Sequence, residues 1–173
     1  SGQIVEVSRW GLQACLRQLS AWRTTGWTGN ISYNLSPYHL LHDSFLDDVR
    51  DALASANMEP SHLALELSEG LERQPRRKVI SILTELREMG MRVSLDNFGG
   101  EHSNLAYLLA LPLDSLKIDR FFFKGIRRDP KLMSFTNTLI QMGKALNLRM
   151  IAERVETDEE ARVLLELGVQ AIQ

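Results

Sequence analysis

Cysteine is almost missing from this chain: Cys15 is the single one in 173 residues. That excludes an internal disulfide, and no Cys/His grouping has the spacing of a structural zinc site. Basic charge is not in excess either. With 20 Lys and Arg against 22 Asp and Glu, the formal charge is -2 and the pI about 6.1. Holding genomic DNA by sheer charge is therefore excluded, while a local basic pocket for a small phosphate ligand is not. No apolar run approaches the roughly 20 residues that span a bilayer. The opening Ser-Gly-Gln-Ile-Val-Glu lacks the basic and apolar regions of a signal peptide. No Pro/Gly-rich linker or low-complexity stretch breaks the chain, so one cytoplasmic domain over residues 1–173 is the working expectation.

What is present is an alternation of helical and strand-like patterns, the sign of repeated βα units and a parallel sheet. One helix carries Leu12, Cys15, Leu16 and Leu19 on a stripe, which places Cys15 in a core, not in a reactive site. Others carry Phe45, Val49 and Leu53; Val79, Ile82, Leu83 and Leu86, stopping before Gly90; and Phe135, Leu139, Ile140 and Leu146. A short helix is expected near residues 104–110. A last one begins at Thr157 with Glu160 in capping-box relation.

The strands separate two chemistries, because residues two apart share a face. Leu63, Leu65 and Leu67 alternate with Ala64, Glu66 and Ser68; Leu95 with Ser94 and Asp96; Leu116 and Ile118 with Ser115, Lys117 and Asp119; Met150 and Ala152 with Ile151 and Glu153. Asn34, Glu66, Asp96, Lys117, Glu153 and Gln173 thus fall near the carboxyl ends of successive strands, opposite the helices. Each lies about one βα unit beyond the last, in a fold whose eight units fill roughly 250 residues and whose active sites sit at that rim.

An amide oxygen and two carboxylates are hard donors suited to Mg²⁺ or Mn²⁺. Lys117 suits a phosphate oxygen or a bound water, and Glu153 suits removal of a proton from that water. Metal-assisted phosphodiester hydrolysis is the most coherent chemistry. Taken singly, each has a bland reading: Asp96 as a cap, Asn34 as part of a turn, Lys117 in a salt bridge to Asp119 or a neighbour, Glu153 paired with an arginine, Gln173 as nothing in particular. Glu66 interrupts an apolar strand and needs a partner or a metal.

The blocks Asn34-Leu35-Ser36, Glu66-Leu67-Ser68-Glu69, Asp96-Asn97-Phe98-Gly99, Leu116-Lys117-Ile118-Asp119 and Ala152-Glu153-Arg154-Val155-Glu156-Thr157 resemble, in order, the NLS, ELTE, DDFG, LKID and AEGVET blocks of EAL domains. The resemblance covers essentially the whole chain. It implies an α/β fold, a parallel TIM-like β/α barrel truncated at its first strands and at its end. It further implies binding of cyclic di-GMP and, in active members, hydrolysis to pGpG with two Mg²⁺ or Mn²⁺ ions. Carried over by position, Asn34, Glu66 and Asp96 are metal ligands, Lys117 contacts the attacking water and phosphate, Glu153 is the general base, Glu69 positions the loop after the Asp96 strand, and Gln173 is a ligand-binding amide. A homodimer through residues 104–110 and a preceding sensor or diguanylate-cyclase domain also follow from resemblance.

Three departures bear on activity. No Glu-Ala-Leu motif occurs near residue 1, so that metal-ligating glutamate is expected upstream. Asn97 stands where active members carry the second aspartate of DDFG, weakening the second metal position. Gly100-Glu101-His102-Ser103-Asn104-Leu105 replaces the usual TGYSSL loop, with His102 a solvated loop histidine, and Arg154 replaces the glycine of AEGVE. The expectation is a degenerate module that binds cyclic di-GMP or a protein partner with little turnover. The alternatives are a working phosphodiesterase completed by upstream sequence and an unrelated barrel phosphoesterase.

Overall fold

A computed structural model describes residues 2–68, 71, 74–98 and 105–173. Strands β1 (Ile31–Leu35), β2 (Leu63–Leu67), β3 (Arg92–Phe98), β4 (Ser115–Ile118), β5 (Arg149–Ala152) and β6 (Ala171–Ile172) follow one another in the sheet in chain order. Between them run α1 (Gly2–Thr24, before β1), α2 (Pro37–Leu40), α3 (Phe45–Ala56), α4 (Arg76–Glu88), α5 (Leu105–Leu108), α6 (Pro130–Ala145) and α7 (Asp158–Leu167). Parallel neighbours need a crossover between them, and these helices supply it, as the alternating pattern predicts. The chain divides into two compact units, Ser1–Val93 with Ala110–Pro112, and Ser94–Leu109 with Leu113–Gln173.

In the first unit, α1 packs against α2, α3 and β1. Leu12, Leu16 and Leu19 are at most 1% exposed, as their spacing requires. Cys15 is only half-buried, at the flank of that stripe, and burial pushes its thiol pKa up, away from reactivity. Phe45, Val49 and Leu53 line the inner face of α3. Helix α4 buries Val79, Ile82, Leu83 and Leu86 and ends at Gly90, whose φ of +99° lets Met91 N–H return to Leu86 O at 3.1 Å. A side chain at residue 90 would oppose that left-handed turn. Strands β1 and β2 are parallel and register Asn34 against Glu66.

A polar knot closes this unit. His39 is fully buried, with Nδ1 2.9 Å from Ser8 Oγ and Nε2 3.0 Å from Asp48 Oδ2. Arg9 and the Ser44 hydroxyl also reach Asp48. Burial, ahead of the opposing pull of Asp48, holds the imidazole pKa below its ordinary value, so the ring is neutral. A neutral ring donates to Asp48 and accepts from Ser8.

In the second unit, β4 and β5 run parallel with Lys117 against Ile151 and Ile118 against Ala152, and β5 continues onto β6. Helix α6 packs on β5 so closely that a Cβ at Gly143 would land on Met150 Sδ. Thr157 caps α7 by accepting from Glu160 N–H at 3.1 Å. The Glu160 carboxylate reaches Glu156 N–H, not the Thr157 N–H that a reciprocal capping box would use, and it also receives Arg120.

Candidate functional site

In the first unit, β1 and β2 present Asn34 and Glu66 as adjacent register partners. Asn34 is exposed, whereas Glu66 is 7% exposed and engaged. Burial of a carboxylate between Leu65 and Leu67 agrees with the need for a partner read from the sequence.

The second unit gathers Asp96, Asn97, Lys117, Glu153 and Gln173. Backbone ladder bonds pin the strand ends: Glu153 N–H donates to Ile118 O at 3.1 Å, and Gln173 N–H to Ala152 O at 2.8 Å. Lys117 is 3% exposed and donates to Glu153 Oε1 at 2.6 Å and to Gln173 Oε1 at 3.4 Å. Of the two readings for Lys117, Asp119 or a neighbour, the structure shows the neighbour Glu153, and Glu153 pairs with a lysine where the sequence offered an arginine.

Two carboxylates meet here. Burial first, and then the neighbouring Asp96 carboxylate, push Glu153 above the ordinary glutamate range, while Lys117 pulls the other way. Asp96 Oδ1 is buried without a hydrogen bond among the described residues. A proton on Glu153 or a cation would satisfy that oxygen.

Strand parity alone would send Asp96 and Asn97 to opposite faces. Instead β3 shifts register against β4: Leu95 pairs with Leu116, and the next pair is Phe98 with Ile118. Two residues, Asp96 and Asn97, therefore oppose one, Lys117. Asn97 takes up the difference at φ +53°, a left-handed conformation that asparagine tolerates better than most side chains. Its amide donates to Asp96 Oδ2 at 3.0 Å and its carbonyl accepts from Arg154 Nη2 at 2.9 Å. Arg154, itself at φ +59°, also pairs with Asp119. Asp119 caps the following turn by accepting from Phe121 N–H at 2.7 Å.

The link from Arg154 to Asn97 and Asp119 is what sequence reading misses. Its signal was available: Asn97 and Arg154 both depart from the EAL blocks, and they touch. Glu69 and His102 lie outside the described residues. Among the described residues no three His, Cys, Asp or Glu side chains group to hold a metal ion, and no helix is long and apolar enough to cross a membrane. Asp96 Oδ1, unsatisfied and beside a second carboxylate, is the oxygen of this set that suits a hard cation. At Asn97 a cation fits less well, because the amide oxygen is already engaged.

The family model of the EAL domain matches residues 1–173. The chain is 36% identical over 174 residues to the bifunctional diguanylate cyclase/cyclic di-GMP phosphodiesterase MucR of Pseudomonas aeruginosa, covering 100% of this chain and 25% of MucR. It is 30% identical over 169 residues to the cyclic di-GMP phosphodiesterase PdeR of Escherichia coli, covering 98% of this chain and 26% of PdeR. The solved cyclic di-GMP complex of the MucR phosphodiesterase superposes with a TM-score of 0.88, covering 99% of this chain and 70% of that one. The EAL domain of Mycobacterium smegmatis DcpA gives 0.90 at 31% identity, covering 96% and 76%. This chain belongs to the EAL domain family. It spans about a quarter of the length of the curated relatives it matches.

Proposed function

We propose that this EAL domain recognises cyclic di-GMP and turns it over little or not at all, serving as a binding module of cyclic di-GMP signalling. The observation that carries the reading is Asn97. The position after Asp96 holds an amide, and its one oxygen is taken by Arg154, so it adds neither charge nor a ready ligand for a second ion. In this reading Asp96 is an oxygen donor to a single Mg²⁺ or Mn²⁺, Lys117 holds a phosphate oxygen, and Gln173 contributes an amide contact. When bound, the cation would polarise the phosphodiester and acidify a water. The chain's own residues orient the phosphate through the Lys117 ammonium and keep Glu153 beside it. The relatives MucR and PdeR are named for cyclic di-GMP chemistry, which supports the ligand class. Apolar surface at Leu105 and Leu109 suits the homodimer expected near that segment.

A second reading, a slow phosphodiesterase, is favoured by Glu153. Its pKa, raised by burial, and its contact with Lys117 suit a group that takes a proton from water. Calorimetric titration with cyclic di-GMP, with and without Mg²⁺, combined with chromatography for pGpG, tests both. Binding without product supports the module. Product that disappears in Glu153→Gln establishes the enzyme, and absence of binding under both conditions overturns both readings.

A further inference from the structure

We propose that the Arg154 guanidinium is a built-in cation of this site, which occupies Asn97 and Asp119 and so restricts the site to one divalent ion, held at Asp96. The inference rests on the reading of these strand ends as a one-cation and phosphodiester site, and it adds the residue whose charge sets that count.

The argument follows the oxygen atoms. Asn97 has one side-chain oxygen, and Arg154 Nη2 donates to it at 2.9 Å. The Asn97 nitrogen cannot ligate a metal and donates to Asp96 Oδ2 at 3.0 Å. The Asp119 carboxylate pairs with Arg154 and accepts from Phe121 N–H. Of the oxygens on Asp96, Asn97 and Asp119, Asp96 Oδ1 is the one that is buried and without a donor among the described residues. A guanidinium stays charged at every working pH. A divalent ion approaching Asn97 would therefore meet a fixed positive charge as well as an engaged ligand, and both oppose binding.

Charge balance points the same way. Relative to the EAL blocks, Asn97 removes one negative charge and Arg154 adds one positive charge. The local change of two units equals what a second Mg²⁺ would bring. A phosphodiester arriving here meets that compensation already in place. Arg154 is 60% exposed on its side chain and engages only part of its five-donor fork, so it retains donors for a phosphate oxygen.

The test is Mn²⁺ stoichiometry by calorimetry and by the electron paramagnetic resonance of bound Mn²⁺, on the intact protein and its variants. Wild type is expected to bind one ion. Asn97→Asp alone should still bind one, because Arg154 pairs with the new carboxylate. Asn97→Asp with Arg154→Gly should bind two, and Asn97→Asp with Arg154→Lys, which keeps the charge, should stay at one. Circular dichroism checks folding of each variant, and Asn97→Asp with Arg154→Asn, uncharged and tolerant of the left-handed backbone, stands in if the glycine version is unstable. Two ions in wild type or in Asn97→Asp alone, or no ion in wild type, overturns the proposal. Cyclic di-GMP titration of wild type in excess Mn²⁺ separates the two claims: nucleotide binding alongside two Mn²⁺ ions sinks this inference and leaves the function standing.

Discussion

Lys117 Nζ donates to Glu153 Oε1 at 2.6 Å, and the two side chains are 4% and 13% exposed. Removing one partner of a buried ion pair strands the other. Lys117→Met should therefore destabilise the protein by about 3 kcal/mol, since Glu153 would be left beside Asp96 with no counter-charge. Glu153→Gln should cost clearly less, because an amide oxygen still accepts from Lys117 and the repulsion with Asp96 is gone. Urea melts of both variants decide the matter; equal losses would contradict this account of the pair.

The His39 knot predicts an acid-sensitive step. The ring's folded pKa lies below its ordinary value of 6.5, so above that pH both folded and unfolded chains carry a neutral ring and it contributes no slope. As pH falls below about 6.5, the unfolded chain takes up a proton that the native one refuses, and stability declines by at most about 1.4 kcal/mol per pH unit. Asp48, whose folded pKa is below 3.8 because Asp48 accepts from His39, Arg9 and Ser44 against the cost of burial, adds a loss only as pH falls below that value. Unfolding midpoints measured from pH 8 to 5 should be level and then fall, and the fall should shrink in His39→Gln.

Backbone strain and ion pairing separate at residue 154. Arg154→Gly loses a partly exposed ion pair worth roughly 0–1 kcal/mol and relieves a left-handed backbone by a similar amount, so net stability should hardly change. Arg154→Ala loses the pair and keeps the strain, and should be about 1 kcal/mol less stable than the glycine variant. Thermal melts of the two variants side by side check the order; alanine equal to glycine would mean that φ +59° carries no cost.

Close packing of α6 on β5 gives a further test. Gly143→Ala places a methyl group on the fully buried Met150 and should cost about 1–3 kcal/mol. Pairing it with Met150→Val should recover part of the loss. A single variant as stable as wild type would contradict the packing described.

The βα alternation and the strand-end positions of Asn34, Glu66, Lys117 and Glu153 were legible because each depends on a local rule: apolar spacing along a helix, or alternation along a strand. Gly90 as a cap was legible for the same reason. Asn97 was not, because alternation puts it on the wrong side of β3 and only the unequal count against β4 restores it. The tie from Arg154 to Asn97 joins residues 57 positions apart, and no periodicity reports such a pairing. For Lys117 the sequence left Asp119 or a neighbour open, and the structure shows the neighbour Glu153. Asp119 shares the face of Lys117 two residues on, but it is drawn away by Arg154 and the Phe121 N–H.

The extra residue in β3 is held by the paired positions on either side, Leu95 with Leu116 and Phe98 with Ile118, and not by the identity of residue 97. Any side chain that tolerates a left-handed backbone inherits the same placement beside Asp96. Asparagine and aspartate codons differ by one base, as do arginine and glycine codons. A carboxylate at position 97 and an unblocked site therefore lie two point mutations away, with no rearrangement of the scaffold between them.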